Sequence, residues 1–362
     1  MVKQFEILEP LRALNASQEA VSLRCGISKV RLAAIDVKID TVDLDRNCRV
    51  EICARSMVIM SRIFTYSVLD VFAERPLEGN PLAVFHDAHG LSDDEMQALA
   101  RETNLAETTF ILPGDPETEQ RDGVRVRIFT TEEELPFAGH PTLGTATWLY
   151  FNHPTLSGAE TITLRLNVGL IRVRFEPPNS DVPGVRATML QNDPVFGVEY
   201  DRAAVARVIG LREDDLPAEH LPQTVSTGVP FCIVLLESLE VSQRLQIAQR
   251  DARAWLAQSD AHFFYCIAPL LSHGGGEPRW HARMQFYSGE DPATGSAAGC
   301  CIAWLVKVGL VESEQAVVIE QGIEIRRPSR ITVQAKLEGG RVGRVLVSGR
   351  TIPVAEGRFF LP

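Results

Sequence analysis

The stretch ELPFAGHPTLGTATWLYF, residues 134 to 151, decides how the chain is read. Proline and glycine break the backbone, and then a run that can wind into a helix begins. His140 therefore sits at a helix mouth. A second stretch, EDPATGSAAGCCIAWLVK at 290 to 307, has the same outline. At a fixed offset of 156, Glu134 falls on Glu290, Pro136 on Pro292, Gly139 on Gly295, Trp148 on Trp304 and Leu149 on Leu305, while His140 falls on Ser296. The strands upstream keep phase: Val124, Val126 and Ile128 fall on Trp280, Ala282 and Met284, and Arg127 on Arg283. Identities at that density, with a strand in phase, indicate an internal duplication. The expected fold class is α/β (α+β), with two similar halves that each wrap strands around one buried helix.

The duplication has a chemical consequence. Each helix begins with a glycine-containing turn that bares backbone N–H groups at the positive end of a helix dipole. If the halves face each other, both mouths point into one cleft, which can bind a small carboxylate without a lysine. The bulk composition fits such a cleft. Net charge is −11 and no Lys/Arg block stands out, so no nucleic-acid partner is expected. No apolar run approaches the ~20 residues of a membrane helix. The seven cysteines include no CxxC spacing, and adjacent Cys300 and Cys301 read as small core residues. With nothing routing the chain to secretion, the expected location is the cytoplasm.

Along the chain, residues 1 to 61 read as an N-terminal extension or a mis-called start, with a small added structural element as the alternative. Regular patterning starts near Phe64. The expected organisation is one half-domain over 62 to 183, a second over 184 to 343, and C-terminal strands over 344 to 362 that return to the first half. SDDEMQALARETN predicts a helix with Ser92 as its N-cap and acids in its first turn. ETTFILP and GVRVRIFT alternate as strands, and ETITLRLNVGLIRVRFEPP reads as a hairpin. In the second half VSQRLQIAQRDARAWL reads as a helix, residues 279 to 287 as one alternating strand, and GRVLVSG and RTIPVAEGRFFLP as separate strands.

Each polar candidate has a plainer reading beside the functional one. His140 can pack on or cap its own helix, and Asp291 and Ser296 can be N-cap residues. Glu107, beside Leu105 and Phe110, can be a surface strand residue. Partly buried against those neighbours, its pKa would rise and it would carry protons near neutral pH. Other motifs fail. Gly139 to Gly144 has phosphate-loop spacing, but Thr145 stands where the lysine belongs. HGGGEP at 273 to 278 resembles a lipase oxyanion loop, but no GxSxG elbow accompanies it, so it reads as a connection. With no HExxH, no Cys/His ladder and no GxGxxG after a strand, neither a metal nor a dinucleotide is expected.

DVFAERPLEGNPLAVF, MQALARETNLAETTFILP, FTTEEELPFAGHPTLGTA, STGVPF, YSGEDPATGSAAG and QGIEIRRPSRI together resemble the PhzF-like family of phenazine-biosynthesis isomerases, structurally related to diaminopimelate epimerase. The resemblance runs from about residue 64 to the C-terminus. It implies two halves, each a curved mixed sheet around a central helix, with the active site between them. It further implies that Glu107 is the acid–base residue and that His140, Asp291 and Ser296 complete the catalytic set. Gly139, Gly295 and Thr294 would bind substrate, and no cofactor would be needed. The related epimerases carry cysteines at the two mouths, whereas here His140 and the Asp291/Ser296 pair stand there, so cysteine-based racemisation is not expected. The implied activity is relocation of a proton on a small carboxylate, as in trans-2,3-dihydro-3-hydroxyanthranilate isomerases, and the implied assembly is a homodimer. Thr131 departs from a common proline and Arg326 from a frequent glycine. Two other readings stand beside this one: a Ser296–His140–Asp291 hydrolase, and a non-catalytic small-molecule binder.

Overall fold

The computed structural model describes residues 62–179, 181–270, 278–287 and 289–362. The readings of the N-terminal extension and of the 273 to 277 connection lie outside these residues. The chain divides into a unit of Met1–Arg62 with Phe360–Pro362 and a unit of Ile63–Phe359. The second unit carries the site.

Its first strands are β1 (Arg62–Val71), β2 (Asn80–Phe85), β3 (Glu107–Leu112), β4 (Val124–Phe129), β5 (Glu134–Leu135), β6 (Thr161–Leu166), β7 (Gly169–Phe175) and β8 (Val185–Leu190). They are followed by β9 (Val195–Glu199), β10 (Gln223–Ser226), β11 (Pro230–Leu235), β12 (Phe263–Leu270) and β13 (Arg279–Arg283). The last are β14 (Gln285–Phe286), β15 (Gly289–Glu290), β16 (Val317–Gln321), β17 (Ser329–Glu338) and β18 (Arg341–Leu361). The main sheet runs β8-β7-β6-β4-β3-β2-β1-β18-β17-β16-β13-β12-β11-β10-β9. From β1 to β8 the pairs are antiparallel, parallel, antiparallel, parallel, antiparallel and antiparallel. From β10 to β18 the same series recurs. β18 also pairs with β8, Val185 opposite Thr351 through Leu190 opposite Leu346, closing the first half's strands into a barrel.

Two ion pairs mark the duplication in three dimensions. Arg127 donates Nε to Glu134 Oε1 at 2.8 Å and Nη2 to Oε2 at 2.6 Å. Arg283, 156 residues on, makes the same fork with Glu290 at 2.7 and 2.6 Å. A planar guanidinium matches a carboxylate in this bidentate way, so each fork ties a sheet strand to the start of the turn before a central helix.

The α-helices of the described residues are α1 (Asp93–Thr103), α2 (Pro116–Asp122), α3 (Gly139–Asn152), α4 (Arg202–Val208), α5 (Leu239–Gln243), α6 (Gln249–Leu256) and α7 (Gly295–Lys307), and α3 and α7 are the central ones. α7 is buried at every position from Gly295 to Val306. A helix that is apolar on all sides has no solvent face and must be enclosed, here by its own curved sheet. Thr145, inside α3, donates its hydroxyl to Thr109 on β3 at 2.8 Å, which satisfies a polar group in the core. The helix α1 (Asp93–Thr103) starts as its sequence predicts. Ser92 and Glu95 form a reciprocal capping box, acids fill the first turn, and Asn104 ends the helix in the left-handed conformation.

Three elements differ from expectation. The helix expected over VSQRLQIAQRDARAWL is two helices, Leu239–Gln243 and Gln249–Leu256. Between them Arg283 donates to the Ser242 and Leu245 carbonyls, Gln285 donates to Leu245, and Ile247 N–H donates to Gln285. Side chains from β13 and β14 thus take the backbone groups that would have continued the helix. The strand expected over 279 to 287 breaks after Arg283, because Gln285–Phe286 turns to pair with Gly289–Glu290. The two C-terminal strands are one, β18, running through Gly349, whose missing Cβ leaves room for the Phe72 ring.

Candidate active site

The two helix mouths meet. A Cβ on Gly139 would stand 2.5 Å from the carbonyl carbon of Gly295 and 2.7 Å from its Cα, and closer still to Ser296 N. Only glycine permits backbone-to-backbone contact at that range. Neither helix carries a side-chain cap at its N-cap residue, Ala138 or Thr294. The Asp291 reading as an N-cap is therefore corrected: Thr294 holds that position, and Ser296 is the second residue of α7.

Around this junction the structure gathers the residues singled out from the sequence. Glu107 is the first residue of β3, His140 the second of α3, and Asp291 lies in the turn before α7. Glu107, Asp291, Thr294 and Ser296 line one cavity of ≈20 Å³, enough for about one water. Its walls include Leu135, Phe137, Phe231, Phe263, Phe286 and Tyr287. His140 Nε2 stands 3.6 Å from Glu107 Oε2, beyond hydrogen-bond range, and neither atom has a hydrogen-bond partner.

Two side-chain amides that the sequence reading passed over hold this arrangement. Asn80, fully buried at the start of β2, directs Nδ2 to Asp291 Oδ1 at 2.7 Å, to the Ala293 carbonyl at 2.9 Å and toward His140 Nδ1 at 3.2 Å. Gln321, also fully buried, donates Nε2 to the Asp291 carbonyl and to Thr294 Oγ1, and accepts from Thr294 N and from Tyr265 OH. Thr294 Oγ1 in turn donates to Asp291 Oδ2 at 2.5 Å. Asn80 is legible only as a turn residue in Gly-Asn-Pro, and Gln321 only as part of QGIEIRRPS.

Burial sets the electrostatics. It pushes the Glu107 carboxyl well above its usual range, and the Asp291 charge adds to the rise. It raises Asp291 to about 7 against the pull of its Thr294 and Asn80 hydrogen bonds. It lowers His140 to about 3, so the imidazole is neutral. The Ser296–His140–Asp291 triad is not assembled. His140 Nε2 has no partner, its Nδ1 meets Asn80, and Asp291 is engaged by Asn80 and Thr294. Among the described residues no group of three or more His, Cys, Asp or Glu converges as metal ligands would. No helix of the described residues is long and apolar enough to cross a membrane.

The duplication makes the cavity symmetric in position and asymmetric in chemistry. At the offset of 156, Glu107 corresponds to Phe263, Leu135 to Asp291, Ala138 to Thr294 and Thr130 to Phe286, and all eight side chains line the cavity. In these four pairs a polar group of one half corresponds to an apolar group of the other, whereas Ser296 corresponds to His140.

A duplicated α/β fold with a pocket at two apposed helix mouths is the diaminopimelate epimerase-like architecture. The chain belongs to the phenazine biosynthesis-like protein family, PhzC-PhzF, whose model matches residues 69–357. It is 38% identical over 307 residues to a trans-2,3-dihydro-3-hydroxyanthranilate isomerase of Pseudomonas aeruginosa, covering 82% of this chain and 99% of that protein. It is 34% identical over 309 residues to an uncharacterised isomerase of Mesorhizobium japonicum, covering 82% and 98%. The solved structure of a predicted epimerase from Pseudomonas aeruginosa superposes with a TM-score of 0.69 at 36% identity, covering 82% of this chain and 99% of that one.

Proposed function

We propose that the chain is a cofactor-independent isomerase that relocates a proton on a small carboxylate, with Glu107 as its acid–base residue. The observation that carries this reading is that Glu107 and Phe263, equivalent positions of the two halves, both line the cavity. A racemase that inverts a centre needs proton carriers on both faces of its substrate. Here the first half offers a carboxyl and the equivalent place in the second half offers a phenyl ring, so Glu107 has no duplicate, and removal and return occur through it alone.

In this scheme the Glu107 carboxylate takes a proton as one C–H bond breaks, and the electron pair delocalises into the adjoining unsaturated system. Glu107 then returns the proton to another carbon, with no net change in atoms or electrons. The uncapped mouths of α3 and α7 supply N–H groups, those of Gly139 and Gly295 among them, for the substrate carboxylate. His140, Ser296 and the Asp291–Thr294 pair steady its other polar groups. The cavity as it stands holds about one water, so substrate enters as the two halves part. Its apolar walls then suit a small, flat, largely hydrocarbon body, and trans-2,3-dihydro-3-hydroxyanthranilate, the compound in the relative's name, is the substrate to try.

The test is proton NMR of that compound in D₂O with the purified protein and its Glu107→Gln variant. Turnover by the parent and its loss in the variant are expected. Turnover that survives Glu107→Gln would remove Glu107 as the base, and an inert parent would remove this substrate.

A further inference from the structure

We infer that Asn80 is a positioning residue that fixes His140 as the Nε2–H tautomer, making the imidazole a hydrogen-bond donor into the cavity. The inference rests on the reading of this cavity as the site of proton relocation, and it concerns which proton His140 presents there.

The argument is one of hydrogen count. An amide nitrogen carries two hydrogens and cannot accept, because its lone pair is delocalised. Asn80 Nδ2 faces three groups: Asp291 Oδ1 at 2.7 Å, the Ala293 carbonyl at 2.9 Å and His140 Nδ1 at 3.2 Å. The amide cannot be reversed. Its oxygen would then stand against a carboxylate oxygen and a main-chain carbonyl, and the carbonyl can never donate. The orientation holds even though it leaves Asn80 Oδ1 buried without a partner, a loss that usually costs ~1–3 kcal/mol.

With the amide so oriented, His140 Nδ1 must be the bare nitrogen. A hydrogen on Nδ1 would point at a donor that has nothing to accept it. The same conflict opposes the imidazolium, which carries hydrogens on both nitrogens. The ring's one hydrogen is therefore on Nε2, the atom that stands free and buried 3.6 Å from Glu107 Oε2. That donor is aimed where a substrate oxygen or the Glu107 carboxylate can accept it. Asn80 also joins the two halves, since β2 belongs to the first and Asp291 and Ala293 to the second.

The experiment uses the full chain with ¹⁵N-labelled histidine and long-range ¹H–¹⁵N correlation, the His140 signals being assigned by their absence in His140→Gln. A pyrrole-type Nε2 and a pyridine-type Nδ1, unchanged from pH 5 to 9, are expected. A protonated Nδ1 in the parent protein overturns the inference, whatever the variants do. In Asn80→Leu, which removes the amide hydrogens that exclude Nδ1–H, the hydrogen should no longer be confined to Nε2 and kcat should fall by ~10²-fold with little change in KM. A folded Asn80→Leu protein that keeps the pure Nε2–H signature also overturns it. The signature does not depend on turnover, so failure of the proposed isomerisation and failure of this inference give different results.

Discussion

The contact between the two helix mouths can be tested by adding one methyl group. In Gly139→Ala the new Cβ would lie 2.5 Å from the Gly295 carbonyl carbon and 2.7 Å from its Cα. Carbon atoms settle at ~3.5 Å or more, so the shortfall is about 1 Å. The obstructing atoms are backbone, and no rotamer relieves them; α3 and α7 must part or the first turn of α3 must deform. Overpacking of this kind costs ~1–3 kcal/mol. The activity loss should be larger in proportion. The displaced segment includes His140 and the Ser296 amide, and a ~1 Å misplacement can lower rates by ~10²-fold. Gly144→Ala is the control, on the same helix and equally buried. Its Cβ would meet Leu82 Cδ2 at 2.5 Å and Val71 Cγ2 at 2.9 Å, which are side-chain atoms that can rotate away. Thermal unfolding and kcat/KM on dihydro-hydroxyanthranilate would be measured for both. The expected result is a loss of stability in both and a loss of kcat/KM near 10²-fold in Gly139→Ala only. A Gly139→Ala protein with the parent's Tm and kcat/KM would refute the close approach of the mouths.

Asp291→Asn should change how stability depends on pH. Asp291 is raised in the folded state from 3.8 to about 7, so its contribution is fully present below the unfolded value and is lost as pH rises through about 7. Asp291→Asn, which does not titrate, should escape this loss. Its Tm should gain on the parent's between pH 4 and 8, and a difference that stays constant with pH contradicts the shift. Arg326 adopts φ 60 on the surface, a left-handed conformation costing a non-glycine residue ~1 kcal/mol. Arg326→Gly should therefore raise the denaturant midpoint, and a lower midpoint would show that its side chain earns its place by other contacts. With Glu107 acting first as a base, kcat/KM should rise with pH along a limb displaced above the usual carboxyl range, the direction in which burial and Asp291 move Glu107. A profile that falls with pH through neutrality would mean that Glu107 donates first.

What could be read from the sequence was what repeats or alternates. The 156-residue offset carries the duplication and matches His140 with Ser296 and Arg127 with Arg283, but not the forks that the two arginines make with Glu134 and Glu290. Glu107 stands out because its neighbours are apolar, and it lines the cavity together with Phe263 and Phe286. Asn80 could not be found this way. Its partners lie 60, 211 and 213 residues away, and Gly-Asn-Pro by itself encodes only a turn. Gln321 is hidden for the same reason, since its hydrogen bonds reach back to 291, 294 and 265. The break in the helix over 241 to 256 also has a distant cause. It lies in Arg283 and Gln285, which compete for carbonyls that local periodicity assigns to the helix.

The fate of the migrating proton separates the same-face scheme from its rivals. Glu107 Oε2 is buried and has no hydrogen-bond partner, and the cavity of ≈20 Å³ holds about one water. In the proposed scheme the seated substrate covers the 14% of the Glu107 side chain that solvent reaches, so a proton taken up on Oε2 is returned before it exchanges. In D₂O, product formed in the first turnovers should carry well under one deuterium per molecule at the receiving carbon, as mass spectrometry of early aliquots can measure. A two-base enzyme would behave differently, because its second acid comes to each turnover already equilibrated with solvent and delivers a deuteron every time. Glu107 acting first as an acid would do the same. One full deuterium per product from the earliest time point would therefore sink the base-first, single-carboxyl scheme. Loss of turnover in Glu107→Gln alongside that result would leave the acid-first order. Unchanged turnover in the variant would point to another proton carrier, and of the remaining polar residues on the cavity wall Asp291 is the one whose carboxyl titrates near neutral pH.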